Sequence, residues 1–147
     1  MKATGPFEVK LTPLPPDGTY EDTMLGRLTI DKQYHGDLEG TGRGQMLTGA
    51  TPVKGSAGYV AMERVTGTLH GKGGAFILQH TGTMSGGTFG LSITVVPDSG
   101  TDELMGLAGN MNIIIADKKH SYEFEYTLST ADGARRRLTN RSRPAKK

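Results

Sequence analysis

Residues 58–89, GYVAMERVTGTLHGKGGAFILQHTGTMSGGTF, decide the fold, because they read as two β-hairpins that share a central strand. We place the first turn at Lys72-Gly73, which pairs Val65 with His80. In this register nearly all apolar residues of both strands collect on one face, and a slip by one residue would scramble both faces. The pattern therefore predicts that Glu63 and His80 project from one otherwise apolar side.

Two further turns agree with this choice of buried face. A turn over residues 85–88 sets His80 against Ile93, and a turn at Asp117-Lys118 gathers the apolar residues of the last two strands on one side. Three separate hairpins thus predict the same two-sided pattern, with one apolar face and one polar face.

The whole chain favours an all-β protein. It contains 22 glycines and many Thr and β-branched residues, and no stretch has an amphipathic helical period. We count eight strands joined mostly by short turns, which predicts an antiparallel meander, with one helical turn near residues 99–104. Closing the meander into a β-barrel would hide both sheet edges and leave an interior wide enough for packed side chains or one small ligand. A two-sheet sandwich is the alternative architecture.

Composition restricts the class of protein. The 147 residues suit one domain, which we assign to residues 1–128, and the absence of cysteine excludes disulfides and thiolate metal sites. Residues 129–147 carry seven Lys and Arg against Asp132 alone and are predicted to be a disordered basic tail. The remainder carries ten Lys and Arg against fourteen Asp and Glu, and this acidic body argues against a nucleic-acid binder. No signal peptide or long apolar run is present, so we expect a cytoplasmic protein without a membrane partner.

The glycines at positions 40, 42 and 44 alternate along one predicted strand. No long helix follows them, so we interpret them as sites that allow sharp coiling of the strand or close approach of another backbone, and not as a phosphate-binding loop. The preceding turn at Gly36 leaves the facing of this strand open. A two-residue turn would place Glu39 and Arg43 inside the barrel, whereas a three-residue turn would place them outside.

The four histidines do not form a metal-binding motif. His35 and His70 adjoin turns and are expected to be solvated, whereas His80 and His120 fall on buried faces in the same half of the barrel. No tight ligand cluster such as His-x-His is present, and we predict neither a metal nor a cofactor.

Glu63 and His80 form the strongest functional signal. They are diagonal neighbours in the inferred register, at a separation of about 7 Å that long side chains can bridge. Burial would raise the pKa of the carboxyl group and a protonated imidazole would lower it, which couples the two groups for proton transfer. The alternative is a buried polar pair that satisfies its own hydrogen bonds and fixes the register.

Several sequence blocks together resemble a known family. They are residues 59–64 (YVAMER), 67–71 (GTLHG), 76–82 (FILQHTG), 99–101 (SGT) and 120–122 (HSY). Over residues 3–128 the chain resembles a bacterial family of domains of unknown function whose eight-stranded, lipocalin-like barrel is similar to allene oxide cyclase. Barrels of related shape include cyclases that confine and orient a reactive apolar substrate. The catalytic residues of the plant enzyme have no match here, so its chemistry is not implied.

We therefore expect a barrel that binds a small, largely apolar molecule, with cofactor-independent cyclase or isomerase chemistry as the suggested activity. Glu63 and His80 are the candidate catalytic residues. The candidate ligand-binding residues are Tyr59, Leu78, Met84, Phe89, Leu91, Ile93, His120, Tyr122 and Phe124. The alternative is a non-enzymatic interaction protein with a filled interior, whose outer surface forms a homo-oligomer.

Overall fold

A computed structural model, which describes residues 1–15 and 24–129, shows a closed barrel of eight antiparallel strands in sequence order. The prediction of a closed meander is confirmed, and the sandwich alternative is wrong. The predicted tail lies outside the described residues apart from Ser129. The strands are β1 (Lys2–Pro13), β2 (Leu25–Tyr34), β3 (Leu38–Ala50), β4 (Ala57–Leu69), β5 (Lys72–Ser85), β6 (Thr88–Val95), β7 (Ala108–Ala116) and β8 (Lys119–Thr127).

The predicted first turn is wrong, although the predicted faces are right. Leu69 pairs with Lys72, so the turn consists of His70 and Gly71, which both adopt positive φ angles. This position wins because the His70 backbone N–H donates to the carbonyl of Asp37 and its imidazole bonds to the hydroxyl of Tyr126. Tertiary contacts thus compensate for a left-handed backbone at a non-glycine residue.

The shift of register leaves the relation between Glu63 and His80 unchanged. Glu63 pairs with Leu78 instead of Gly82, and His80 pairs with Ala61 instead of Val65. Glu63 and His80 therefore remain diagonal neighbours on the inner face, because the register moved by an even number of residues. The other two predicted turns are confirmed with their pairings.

The β2–β3 connection has the parity of the three-residue turn. Tyr34 pairs with Gly40, which turns Leu38 inward and leaves the side chains of Glu39 and Arg43 55% and 77% exposed. Two of the three alternating glycines, Gly40 and Gly44, face a close backbone, as predicted. A Cβ atom on Gly40 would lie 2.3 Å from the carbonyl oxygen of Thr66 on β4. A Cβ atom on Gly44 would lie 1.9 Å from the carbonyl oxygen of Met62 on β4.

One half of the barrel is filled and closed. The connection between β6 and β7 contains a single 3₁₀ turn, Asp102–Leu104, in the region where the sequence predicts one. Thr101 precedes it and anchors it to β5, because its Oγ1 accepts a hydrogen bond from the Ala75 N–H at 2.9 Å. The large side chains that fill this core include Tyr34, Leu38, Leu69, Phe76, Leu104, Tyr122 and Phe124.

Candidate functional site

The other half of the barrel contains a cavity of about 360 Å³. Phe89 and Ile115 lie on its wall and remain 61% and 66% exposed, so this end of the barrel presents apolar side chains to solvent. The polar lining residues are Lys32, Tyr59, His80 and His120. The remaining lining residues are apolar: Phe7, Val9, Leu11, Ile30, Met46, Phe89, Leu91, Ile113 and Ile115.

A hydrogen-bonded charge cluster forms the floor of this cavity. Glu63 on β4 is completely buried, and its Oε1 accepts hydrogen bonds from Lys32 Nζ at 3.1 Å and His80 Nε2 at 2.9 Å. Its Oε2 accepts a hydrogen bond from the Tyr34 hydroxyl at 2.5 Å. Lys32 and His80 also line the cavity, whereas Glu63 lies behind them. The carboxylate therefore holds two of the polar side chains that line the cavity.

Gly42 provides the space for this carboxylate. A Cβ atom at position 42 would lie 2.0 Å from Oε2 of Glu63 and 3.0 Å from Cε2 of Tyr34. Gly42 lies on β3 between the strands that carry these two side chains. The absence of a side chain at Gly42 thus leaves space for Glu63 and Tyr34.

The electrostatics of the cluster favour an ionised Glu63. Burial would raise its pKa, but the hydrogen bond from His80, the charge of Lys32 and the hydrogen bond from Tyr34 together lower the pKa below the ordinary glutamate value. Burial, followed by the nearby charge of Glu63, raises the pKa of Tyr34 well above 10.0. Tyr34 therefore stays protonated and donates to a carboxylate.

Lys32 is a candidate site residue that the sequence analysis missed. It is only 5% exposed, and its ammonium group lies 5.2 Å from the centre of the Phe7 ring, within cation–π range. The signal was present in β2, where Ile30, Lys32 and Tyr34 share one face. A lysine at a position where its neighbours two residues away are buried indicates an inward charge that needs a partner.

The structure divides the predicted site residues between the cavity and the core. His80, Tyr59, Phe89, Leu91 and His120 line the cavity. Glu63 lies behind Lys32 and His80 and does not itself line the cavity. The predicted ligand-binding residues that do not line the cavity are Leu78, Ile93, Tyr122 and Phe124, which belong to the packed core, and Met84, which is 39% exposed.

One reason explains this division. The face of a strand shows whether a side chain points inward, but it does not show at which height along the barrel axis that side chain lies. Tyr122, for example, points inward at the filled end, where its hydroxyl accepts from the Leu38 N–H at 2.8 Å and donates to the His35 carbonyl at 2.8 Å. The lining from β1 and β2 was missed because the sequence analysis derived no pairing between those strands.

The two turn histidines are partly exposed and lie away from the cavity lining. The side chains of His35 and His70 are 41% and 39% exposed, and each lies near a carboxylate. No group of three His, Cys, Asp or Glu residues within residues 1–15 and 24–129 has an arrangement that could hold a metal ion.

Comparison with known families and solved structures assigns the chain to a protein family. Residues 3–126 match a family model described as protein of unknown function (DUF3224). The chain belongs to this family. A crystal structure described as a protein with unknown function from the DUF3224 family of Shewanella oneidensis MR-1 is 47% identical, with a TM-score of 0.83, and the match covers 89% of this chain and 98% of that one. Among curated proteins, no significant match was found.

The DUF3224 assignment confirms the predicted relationship to a domain family of unknown function. The expected likeness to allene oxide cyclase stays a prediction. Within the part of this DUF3224 protein that the structure describes, no helix has the length and apolar character needed to span a membrane.

Proposed function

We propose that this barrel binds a small, largely apolar molecule in the cavity between its apolar walls and the Lys32–Glu63–His80 floor. The observation that carries the proposal is the division of the interior: one half is packed with aromatic and aliphatic side chains, and the other holds about 360 Å³ of space. This volume lies within the range of small-molecule sites, which are mostly apolar and contain a few convergent polar groups.

We further propose cyclase or isomerase chemistry that needs no resident cofactor. His80 is the proton-transfer residue in this proposal, because it lines the cavity, whereas the completely buried Glu63 positions its imidazole. The walls would hold a flexible apolar substrate in one conformation and exclude water, which contributes to rate by orientation. We place this activity in the bacterial cytoplasm, with neither nucleic acid nor membrane as a partner.

The test of ligand binding uses N-phenyl-1-naphthylamine, a neutral fluorescent probe for apolar sites. Leu91→Trp replaces an aliphatic side chain of the cavity lining by a larger indole ring. Thr81→Trp, on the exposed outer face of β5, is the matched control. We expect saturable binding of one probe per chain, weakened at least tenfold by Leu91→Trp and unchanged by Thr81→Trp. Equal affinities in all three proteins, with unchanged melting temperatures, would show that the probe does not occupy the cavity.

A separate surface feature favours the alternative of a homo-oligomer. Leu47 and Val60 are cross-strand partners on the outside of β3 and β4, and with Met62 they are each about half exposed. Contiguous exposed apolar side chains commonly mark association surfaces. Sedimentation equilibrium of the wild type and of Val60→Glu tests this role. If both proteins are monomers at every concentration, this surface does not form a homo-oligomer.

A further inference from the structure

We propose that the ligand is an apolar molecule with a neutral carbonyl group, and that Lys32 and His80 move a proton at the carbon next to that carbonyl. This inference rests on the proposed ligand-binding function and adds the substrate class and the type of reaction. It is carried by the charge balance of the cavity floor and by the hydrogen bonds that remain free for a ligand.

The charge balance favours a neutral ligand. The ammonium of Lys32 and the carboxylate of Glu63 compensate each other at 3.1 Å, and both side chains are at most 6% exposed. With His80 neutral, the floor has no net charge. A ligand carboxylate would add a negative charge beside Glu63 in a site with little water, and an uncompensated buried charge is costly. A carbonyl oxygen would accept a hydrogen bond without adding a charge.

Lys32 has a hydrogen-bond donor left for such an oxygen. An ammonium group has three N–H donors. Those of Lys32 reach Glu63 Oε1 at 3.1 Å and the Tyr34 hydroxyl at 3.4 Å, and Lys32 also lines the cavity. The remaining N–H is therefore available to the ligand. A cationic donor at a carbonyl oxygen stabilises the negative charge that develops there when the neighbouring carbon loses a proton.

His80 supplies the base beside this donor. Its Nε2 and the Lys32 Nζ bond to the same oxygen of Glu63, so the imidazole and the ammonium are neighbours. In the neutral ring, Nε2 carries the proton donated to the carboxylate, and the lone pair is therefore on Nδ1. Glu63 acts as a positioning residue that selects this tautomer.

The proposed step is balanced without an oxidant, a reductant or a second reactant. Nδ1 of His80 takes a proton from the carbon next to the carbonyl, and the C–H electron pair becomes the second bond between that carbon and the carbonyl carbon. The π pair of the carbonyl moves to oxygen, where Lys32 stabilises it. Return of the proton to another carbon of a conjugated enolate gives an isomer. The imidazole becomes positive as the ligand oxygen becomes negative, so the net charge of the floor and the ligand together stays at zero.

The test measures hydrogen exchange on a simple probe, 2-decanone in D2O, with the full-length protein and ¹H NMR. We expect exchange of the hydrogens beside the carbonyl to be at least about 100-fold faster than in buffer, the lower end of acid–base catalysis by a positioned side chain. Lys32→Met and His80→Gln are expected to lose this acceleration. The outward-facing controls Lys10→Met and His35→Gln are expected to keep it.

A second variant separates chemistry from folding. Lys32→Met leaves the buried carboxylate of Glu63 without its ammonium partner and so can destabilise the fold. The double variant Lys32→Met/Glu63→Gln removes both charges and is measured beside the single variant. We expect the double variant to be better folded by circular dichroism than the single one and still to lack the acceleration. Exchange at the wild-type rate in a folded double variant would overturn the role of Lys32.

Displacement of N-phenyl-1-naphthylamine separates the two levels of the proposal. Displacement by 2-decanone without accelerated exchange would overturn the carbonyl chemistry and leave ligand binding intact. Tighter displacement by decanoate than by 2-decanone, lost in Lys32→Met, would overturn the charge argument in favour of an anionic ligand. A failure of the fluorescent probe itself to bind would remove the proposed function together with this inference.

Discussion

Replacement of Glu63 by glutamine tests whether the floor of the cavity is a true buried ion pair. Glutamine has nearly the same volume, but it leaves the ammonium of Lys32, which is only 5% exposed, without a compensating charge. Removing one partner of a buried pair typically costs about 3–5 kcal/mol. At about 3 °C per kcal/mol for a protein of this size, the melting temperature would fall by about 9–15 °C.

The measurement is urea unfolding monitored by circular dichroism. Wild type, Glu63→Gln, Lys32→Met and the double variant form one double-mutant cycle. Because the double variant removes both charges, its loss of unfolding free energy should be smaller than the sum of the two single losses, by about 2–3 kcal/mol. Glu123→Gln provides the matched control. Glu123 pairs with Lys2 at 3.2 Å on the surface, where such a pair contributes about 0–1 kcal/mol.

Two results would refute this reasoning. The first is a loss below about 1 kcal/mol in Glu63→Gln, comparable to that of the exposed control pair. The second is strict additivity of the two single changes, which would mean that the ammonium and the carboxylate do not interact in solution. Either result would also remove the charge balance on which the carbonyl proposal depends.

Two further predictions concern the same carboxylate. Burial raises the pKa of Glu63, but its three hydrogen-bond donors lower the pKa by more than burial raises it, so the net shift is downward from 4.5. The stability that results from this shift is fully present above pH 4.5 and is lost as the pH falls through the pKa of the folded state. The stability gap between wild type and Glu63→Gln should therefore narrow in urea titrations below pH 4.5, and a constant gap would contradict the shift. Gly42→Ala should cost about 1–3 kcal/mol, because its Cβ would lie 2.0 Å from Oε2. Gly49→Ala, whose Cβ would lie 4.0 Å from its nearest neighbour, should cost clearly less in the same assay.

The sequence predicts the faces of the strands better than their register. Burial of one face requires strict alternation, so every even shift of the first hairpin keeps Glu63 and His80 on the inner side. The choice among even shifts depends on contacts that local turn preferences do not contain. His70 occupies a left-handed turn position because Asp37 and Tyr126, distant in sequence, hold it there.

The candidate site was predictable where it depends on strands that pair directly and was missed where it depends on a contact between strands that do not pair. Glu63 and His80 lie on adjacent strands, so a hairpin brings them together. Lys32 lies on β2 and reaches Glu63 on β4 across the intervening strand β3. Such a contact requires a glycine at the crossing point, and Gly42 is that glycine. Sequence alternation showed that Gly42 permits a close approach, but not which side chain makes it.

Stability alone does not account for the charged floor. Apolar residues of similar volume in place of a buried ion pair are often equally or more stabilising, because charges lose hydration on burial. Glycine within a strand is a second cost, because it has no side chain to pack and its backbone loses more conformational freedom on folding than that of other residues. Both costs concern the same few atoms, the carboxylate of Glu63 and the space that Gly42 leaves for it. What they provide together is an ammonium and an imidazole held side by side at the bottom of an apolar chamber. This arrangement is suited to a site that binds and polarises an apolar ligand.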